Sequence, residues 1–68
     1  MSHTYIAEIK SSKTIIDSNT SPDLSKMVTW ANSNSIVGDL IVVSEGYLCS
    51  DGVLHKHDLI NSWYNNDD

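Results

Sequence analysis

The sequence contains no arginine and no phenylalanine, and it has one cysteine and one proline. The missing arginine excludes the most. Surfaces that hold phosphate backbones are rich in Arg and Lys, whereas this chain sets four lysines against nine carboxylates, a formal net charge of −5. Direct nucleic-acid binding is therefore not expected. The lone Cys49 leaves no partner for an internal disulfide, the staple on which small secreted domains usually depend. Residues 1–5 have neither the basic nor the apolar stretch of a secretory leader, so a cytoplasmic location is expected. No apolar run approaches the ~18 residues of a membrane span.

What is present fits one small folded unit. A chain of 68 residues buries only about 60% of its unfolded surface, which leaves little wall for a deep cleft. The expectation is a single compact domain over 1–68, ending in a frayed acidic tail from about residue 65. Ser and Asn cluster at 11–12, 18–21 and 32–35. Their side chains compete with regular backbone pairing, so these clusters punctuate the chain.

Residues 4–10 alternate with period two: Tyr5, Ala7 and Ile9 face one way and Ile6, Glu8 and Lys10 the other, the pattern of a half-buried strand. Residues 13–17 are β-branched and read as its hairpin partner, although the break between them lacks the Gly or Asn of a primed turn. Ser21-Pro22-Asp23 is a helix start, with Ser21 as cap and Pro22 in the first turn. Leu24, Met27, Val28 and Ala31 then form one apolar stripe, which the asparagines and serines of 32–35 should end. Residues 40–43 have no polar break, so a central strand covered on both faces is expected. Residues 44–46 read as a turn. Residues 47–49 and 53–55 flank an Asp51-Gly52 hairpin signal, and Leu59, Ile60 and Trp63 suggest a short second helix.

The order expected is β-β-α-β-β-β-α. This is an α+β fold, a small antiparallel sheet of four to five strands with one or two helices packed on one face.

Three chemistries compete for the polar residues. Cys49, His55 and His57 offer thiolate and imidazole ligands to zinc, but structural zinc wants four ligands at familiar spacings; the plainer reading puts His55 at a strand end and His57 in the entry to the second helix. A Cys49–His–Asp58 nucleophile would need a pocket and an oxyanion donor pair. The glycines are isolated, so no phosphate loop exists. No catalytic residue, metal or cofactor is therefore assigned.

The remaining signals are acids and aromatics. Trp and Tyr dominate interface hot spots. Trp63 belongs to the core, while Trp30, Tyr47 and Tyr64 are the candidate contact aromatics. Asp39, Glu45 and Asp51 sit at strand ends and turns, where they could gather into an acidic rim; the plain alternative is that the charge keeps the chain soluble.

The functional expectation is a non-enzymatic protein-binding module, an inhibitor or adaptor docking on a basic, nucleic-acid-handling surface. Small acidic chains of this kind are often encoded by phages and other mobile elements. Alternatives are a homodimer paired through a strand edge or through Trp30 and Tyr64, and a metal or thiol site at Cys49, His55 and His57.

Overall fold

The computed structural model describes residues 2–66. The acidic pair Asp67-Asp68 of the expected tail lies outside the described residues. Five elements follow one another: β1 (Ser2–Ser11), β2 (Thr14–Ser21), α1 (Leu24–Asn34), β3 (Leu40–Leu48) and β4 (Leu54–Tyr64). The strands form one antiparallel sheet in the order β2-β1-β3-β4. The fold is thus broadly α+β, as the sequence suggests, with four strands and one helix among the described residues.

β1 and β3 are the inner strands. Ala7 pairs with Val43 and Ile9 with Ile41 across the β1–β3 ladder, and all four side chains are buried. This is the face α1 covers. Met27 and Ala31 of the helix pack against Ala7, Ile41 and Val43, with Tyr5, Leu24, Trp30 and Trp63 around them. At about 25 cal/mol per Å² of apolar surface removed from water, this cluster supplies most of the hydrophobic stabilisation so small a core can give.

The helix begins two residues later than its sequence signal. Asp23, not Ser21, is the N-cap: Asp23 Oδ1 accepts from the Ser25 N–H at 3.0 Å and from the Lys26 N–H at 3.3 Å. Ser21 Oγ instead accepts the Asp23 N–H at 3.1 Å and positions the cap. The Asn/Ser run does not stop the helix at once but forms its last turn. Ser35 caps it, with both its N–H and its hydroxyl on the Ala31 carbonyl.

Two expectations need correction. Residues 44–46 are not a turn: β3 runs straight through them, so the two strands expected over 40–49 are one. Gly46 permits this, since a Cβ there would collide with the carbonyl oxygen of His55 on the neighbouring strand. A glycine read as a turn signal marks a close backbone approach instead. The second helix is absent as well. Residues 53–55 and 59–64 belong largely to one long strand, β4, which pairs with β3 from Leu40↔Tyr64 to Leu48↔Leu54 with register shifts at Val43/Ser44 and Glu45/Gly46. A stripe of six residues is too short to nucleate a helix alone, and β3 offers its backbone a full ladder. The Asp51-Gly52 hairpin is found where expected. Cys49 N–H donates to the Val53 carbonyl at 2.9 Å, and Gly52 takes a φ of 86°.

The start of the tail is anchored. Asn65 N–H donates to the Asp39 carbonyl at 2.8 Å, its carbonyl accepts the Gly38 N–H at 3.0 Å, and its amide donates to Ser35 Oγ at 2.7 Å.

Candidate functional site

α1 is shorter than the sheet it lies on. It covers the half built from Ala7, Ile9, Ile41 and Val43 and leaves the β3–β4 hairpin end of the same face bare. Period two then decides what stands there. Continuing β1 outward from Ala7 gives Tyr5 and His3; continuing β3 from Val43 gives Glu45 and Tyr47. On β4, Asp58 is the cross-strand partner of Glu45 and His55 that of Tyr47. The side chains change from apolar to polar and aromatic where the helix stops.

These residues form a connected surface. His3 stands edge-on to Tyr5 and to Tyr47, with ring centroids 5.0 and 5.8 Å apart, and Tyr47 stands edge-on to His57 at 5.1 Å. Edge-to-face geometry at these separations is favourable beyond simple burial. His3 Nε2 lies 3.1 Å from Glu45 Oε2. A carboxylate can only accept, so the ring donates through its Nε2–H. His3, Glu45, Gly46, Tyr47, His57 and Asp58 together line a shallow depression of about 100 Å³.

Electrostatically this depression carries two carboxylates, one of which, Glu45, already accepts from His3. Glu45 and Asp58 face each other across the ladder, and like charges directly opposite repel. No lysine lines the depression. Lys56, the nearest lysine in sequence, points away: its Nζ lies 3.0 Å from Glu8 Oε1, on the face opposite the helix. Asp51 is exposed at the tip of the same hairpin, where its Oδ1 accepts the Val53 N–H at 3.0 Å.

The residues singled out in the sequence are scattered over the molecule. Glu45, Tyr47 and Asp51 share the hairpin end. Trp30 is half-buried against the core cluster. Asp39 is only 5% exposed and its carboxylate accepts the Ile36 N–H at 3.1 Å, so it closes the α1–β3 loop and is committed there. Tyr64 is 67% exposed at the opposite end of the sheet, between a groove lined by Ile36, Val37 and Trp63 and another lined by Lys10, Lys13 and Leu40. Cys49, His55 and His57 do not form a ligand set: no group of three or more His, Cys, Asp or Glu among the described residues is placed to hold a metal ion. His57 is engaged by Tyr47 instead.

Sequence reasoning did not place His3, Tyr5 and Asp58 with Glu45 and Tyr47. The alternation of 3–9 was a usable signal for His3 and Tyr5. Asp58 had none, because its position depends on two bulges in β4.

No helix among the described residues is long and apolar enough to cross a membrane. No protein-family model matches the chain, and neither a curated protein nor a solved structure matches it significantly.

Proposed function

We propose that this chain is a small, acidic, non-enzymatic protein-binding module of the cytoplasm, which docks the bare hairpin end of its sheet onto a basic surface of a larger protein. The observation that carries this reading is the Glu45–Asp58 cross-strand pair with no lysine beside it. Two carboxylates held opposite each other cost stability, and a Lys or Arg from a partner, entering between them, relieves that cost. Tyr47 and Tyr5 add aromatic faces and edges beside the carboxylates, and an aromatic face attracts the same cation. A basic surface evolved for phosphates is one such partner. Covering it would make the chain an inhibitor or an adaptor, the role expected of a compact acidic chain of phage or similar origin.

The test is an NMR titration of the isotope-labelled full chain with a hexa-arginine peptide. Saturable shifts should concentrate at Glu45, Tyr47 and Asp58, weaken strongly in ~1 M salt, where the Debye length falls to about 3 Å, and vanish in the Glu45→Gln/Asp58→Asn double variant. Shifts spread evenly over Asp17, Asp23 and Asp51, or shifts that survive in the double variant, overturn the reading.

A further inference from the structure

Register builds a second surface at the end of the sheet away from Glu45 and Asp58. Lys10 of β1 pairs with Leu40 of β3, and Leu40 pairs with Tyr64 of β4. Directly paired residues share a face, so these three side chains stand in a row. Ser12 and Lys13 of the β1–β2 turn and Gly38 of the α1–β3 loop border the row. The six residues line an open groove of about 450 Å³, a size that suits a small molecule. Two independent features mark it. The first is charge. Two of the four lysines of a chain with net charge −5 line this groove, and no carboxylate among the described residues does. Asp39, next in sequence to Gly38 and Leu40, is buried and turned to the Ile36 N–H. Neither Lys10 nor Lys13 is in an ion pair among the described residues. The second feature is backbone strain. Ser12 and Lys13 hold φ angles of 51° and 72°, a region that favours Asn and Gly. Strain kept where a better residue exists points to a use for the side chain. Glycine at position 13 would relax the turn, and it would take an ammonium group out of the groove.

We propose that this groove binds a small phosphomonoester. Such a group carries a charge of about −1.5 to −2 at neutral pH, which two ammonium groups balance. Lysine takes phosphate as a point charge, and the Ser12 hydroxyl adds a neutral donor. A carboxylate would instead match the guanidinium fork, which this chain lacks. Leu40 and the ring of Tyr64, 67% exposed, form a less polar wall for the organic part of the ester. Two lysines suit one phosphate group. A nucleic-acid backbone calls for a surface that neutralises many phosphates in a row, so the ligand is a small molecule. The groove and the Glu45–Asp58 pair share no residue, and this inference stands apart from the docking proposed there.

NMR titration of the isotope-labelled full chain with phenyl phosphate tests it, with inorganic phosphate and benzoate as comparison ligands. Saturable shifts should concentrate at Lys10, Ser12, Lys13 and Tyr64, with a dissociation constant of about 1 mM or tighter. Inorganic phosphate, which lacks the ring, and benzoate, which carries one charge, should each bind several-fold more weakly. Lys10→Gln and, separately, Ser12→Asn with Lys13→Gly should each weaken phenyl phosphate about 10-fold, the loss of one charge-assisted hydrogen bond. Lys26→Gln, exposed on α1 and outside the groove, should change nothing. The spectrum of each variant verifies that it is folded, and the turn variant removes strain rather than contacts. No saturation by about 10 mM overturns the inference, and so does equal weakening by Lys26→Gln, which would leave only net charge at work. Benzoate or inorganic phosphate binding as tightly as phenyl phosphate overturns the assignment to a phosphomonoester.

Discussion

The inner strands β1 and β3 and the outer strands β2 and β4 are held in the same sheet by different forces. β1 carries an unbroken buried stretch, Ile6, Ala7, Glu8 and Ile9, and β3 buries Ile41 and Val43. β2 has no buried residue, and β4 has none either, with Trp63 only half-covered. The inner pair is fixed by side-chain burial, on the face under α1 and, at Ile6 and Glu8, on the opposite face as well. The outer pair is fixed by its backbone ladder, by two turns and by a few specific bonds. Trp63 Nε1–H to Asn32 Oδ1 at 3.1 Å and Lys56 to Glu8 at 3.0 Å both tie β4 inward. Stability and surface are thus divided between the pairs: the inner strands keep the fold, and the outer strands present most of what a partner can touch.

The sharpest way to break this comparison is to truncate one isoleucine in each region. Ile41 is fully buried beneath the helix, so Ile41→Ala should cost about 3 kcal/mol or more in lost transfer and residual cavity, a large fraction of the stability of so short a chain. Ile16, an unpaired bulge residue of β2, is 57% exposed, and Ile16→Ala should move stability by no more than about 0.5 kcal/mol. Urea unfolding measures both. Equal losses at the two positions would mean that β2 is packed as well as laddered.

An intermediate effect is expected where the regions are joined. Glu8 is almost buried on β1, its side chain only 10% exposed, and Lys56 reaches it from β4. Lys56→Met keeps the aliphatic stem and removes the charge, leaving a buried carboxylate unpaired. Removing one partner of a fully buried pair costs about 3–5 kcal/mol. Lys56 is half-exposed, and water can take over part of its role, so about 2 kcal/mol is expected here. Glu8→Gln in the Lys56→Met background should recover much of it. A double-mutant cycle reads the coupling directly, and zero coupling would show that the strap from β4 does not bear on the core.

The same division explains what could be read from the sequence. β1 and the stripe of α1 are legible because one-sided burial imposes a period on the residue types, and residues 40–43 because an unbroken apolar run marks an inner strand. β2 extends through Ser18 and Asn19, residues that favour turns, because ladder bonds to β1 outweigh weak local preference when neither face is buried. Leu59, Ile60 and Trp63 mimic a helical stripe because β4 is bulged near Ile60 and breaks its own alternation. Gly46 resembles a turn glycine until the strand beside it is known. In the candidate site, Glu45, Tyr47 and Asp51 were legible as exposed acid and aromatic. Their union with His3, Tyr5 and Asp58 is a matter of register across three strands, which no local pattern encodes.

A smaller expected effect than the loss of Lys56 is a gain, and it tests how far the outer strands rely on their turns. The β1–β2 hairpin closes through Ser12 and Lys13, whose φ angles are 51° and 72°. Both are left-handed, the geometry of a primed two-residue turn that matches the twist of the strands and is normally filled by Asn-Gly. Non-glycine residues there carry backbone strain of about 1 kcal/mol each. Ser12→Asn with Lys13→Gly should relieve most of it. The added glycine loosens the unfolded chain and gives back about 0.5–1 kcal/mol, so the net stabilisation should be about 1 kcal/mol, read as a higher urea midpoint at unchanged slope. Because β2 buries nothing, the relieved strain has few side-chain contacts to disturb and should appear in the midpoint. A lower midpoint would mean that Lys13 makes a contact worth more than its strain, and the picture of β2 as a strand held by ladder and turn alone would have to be given up.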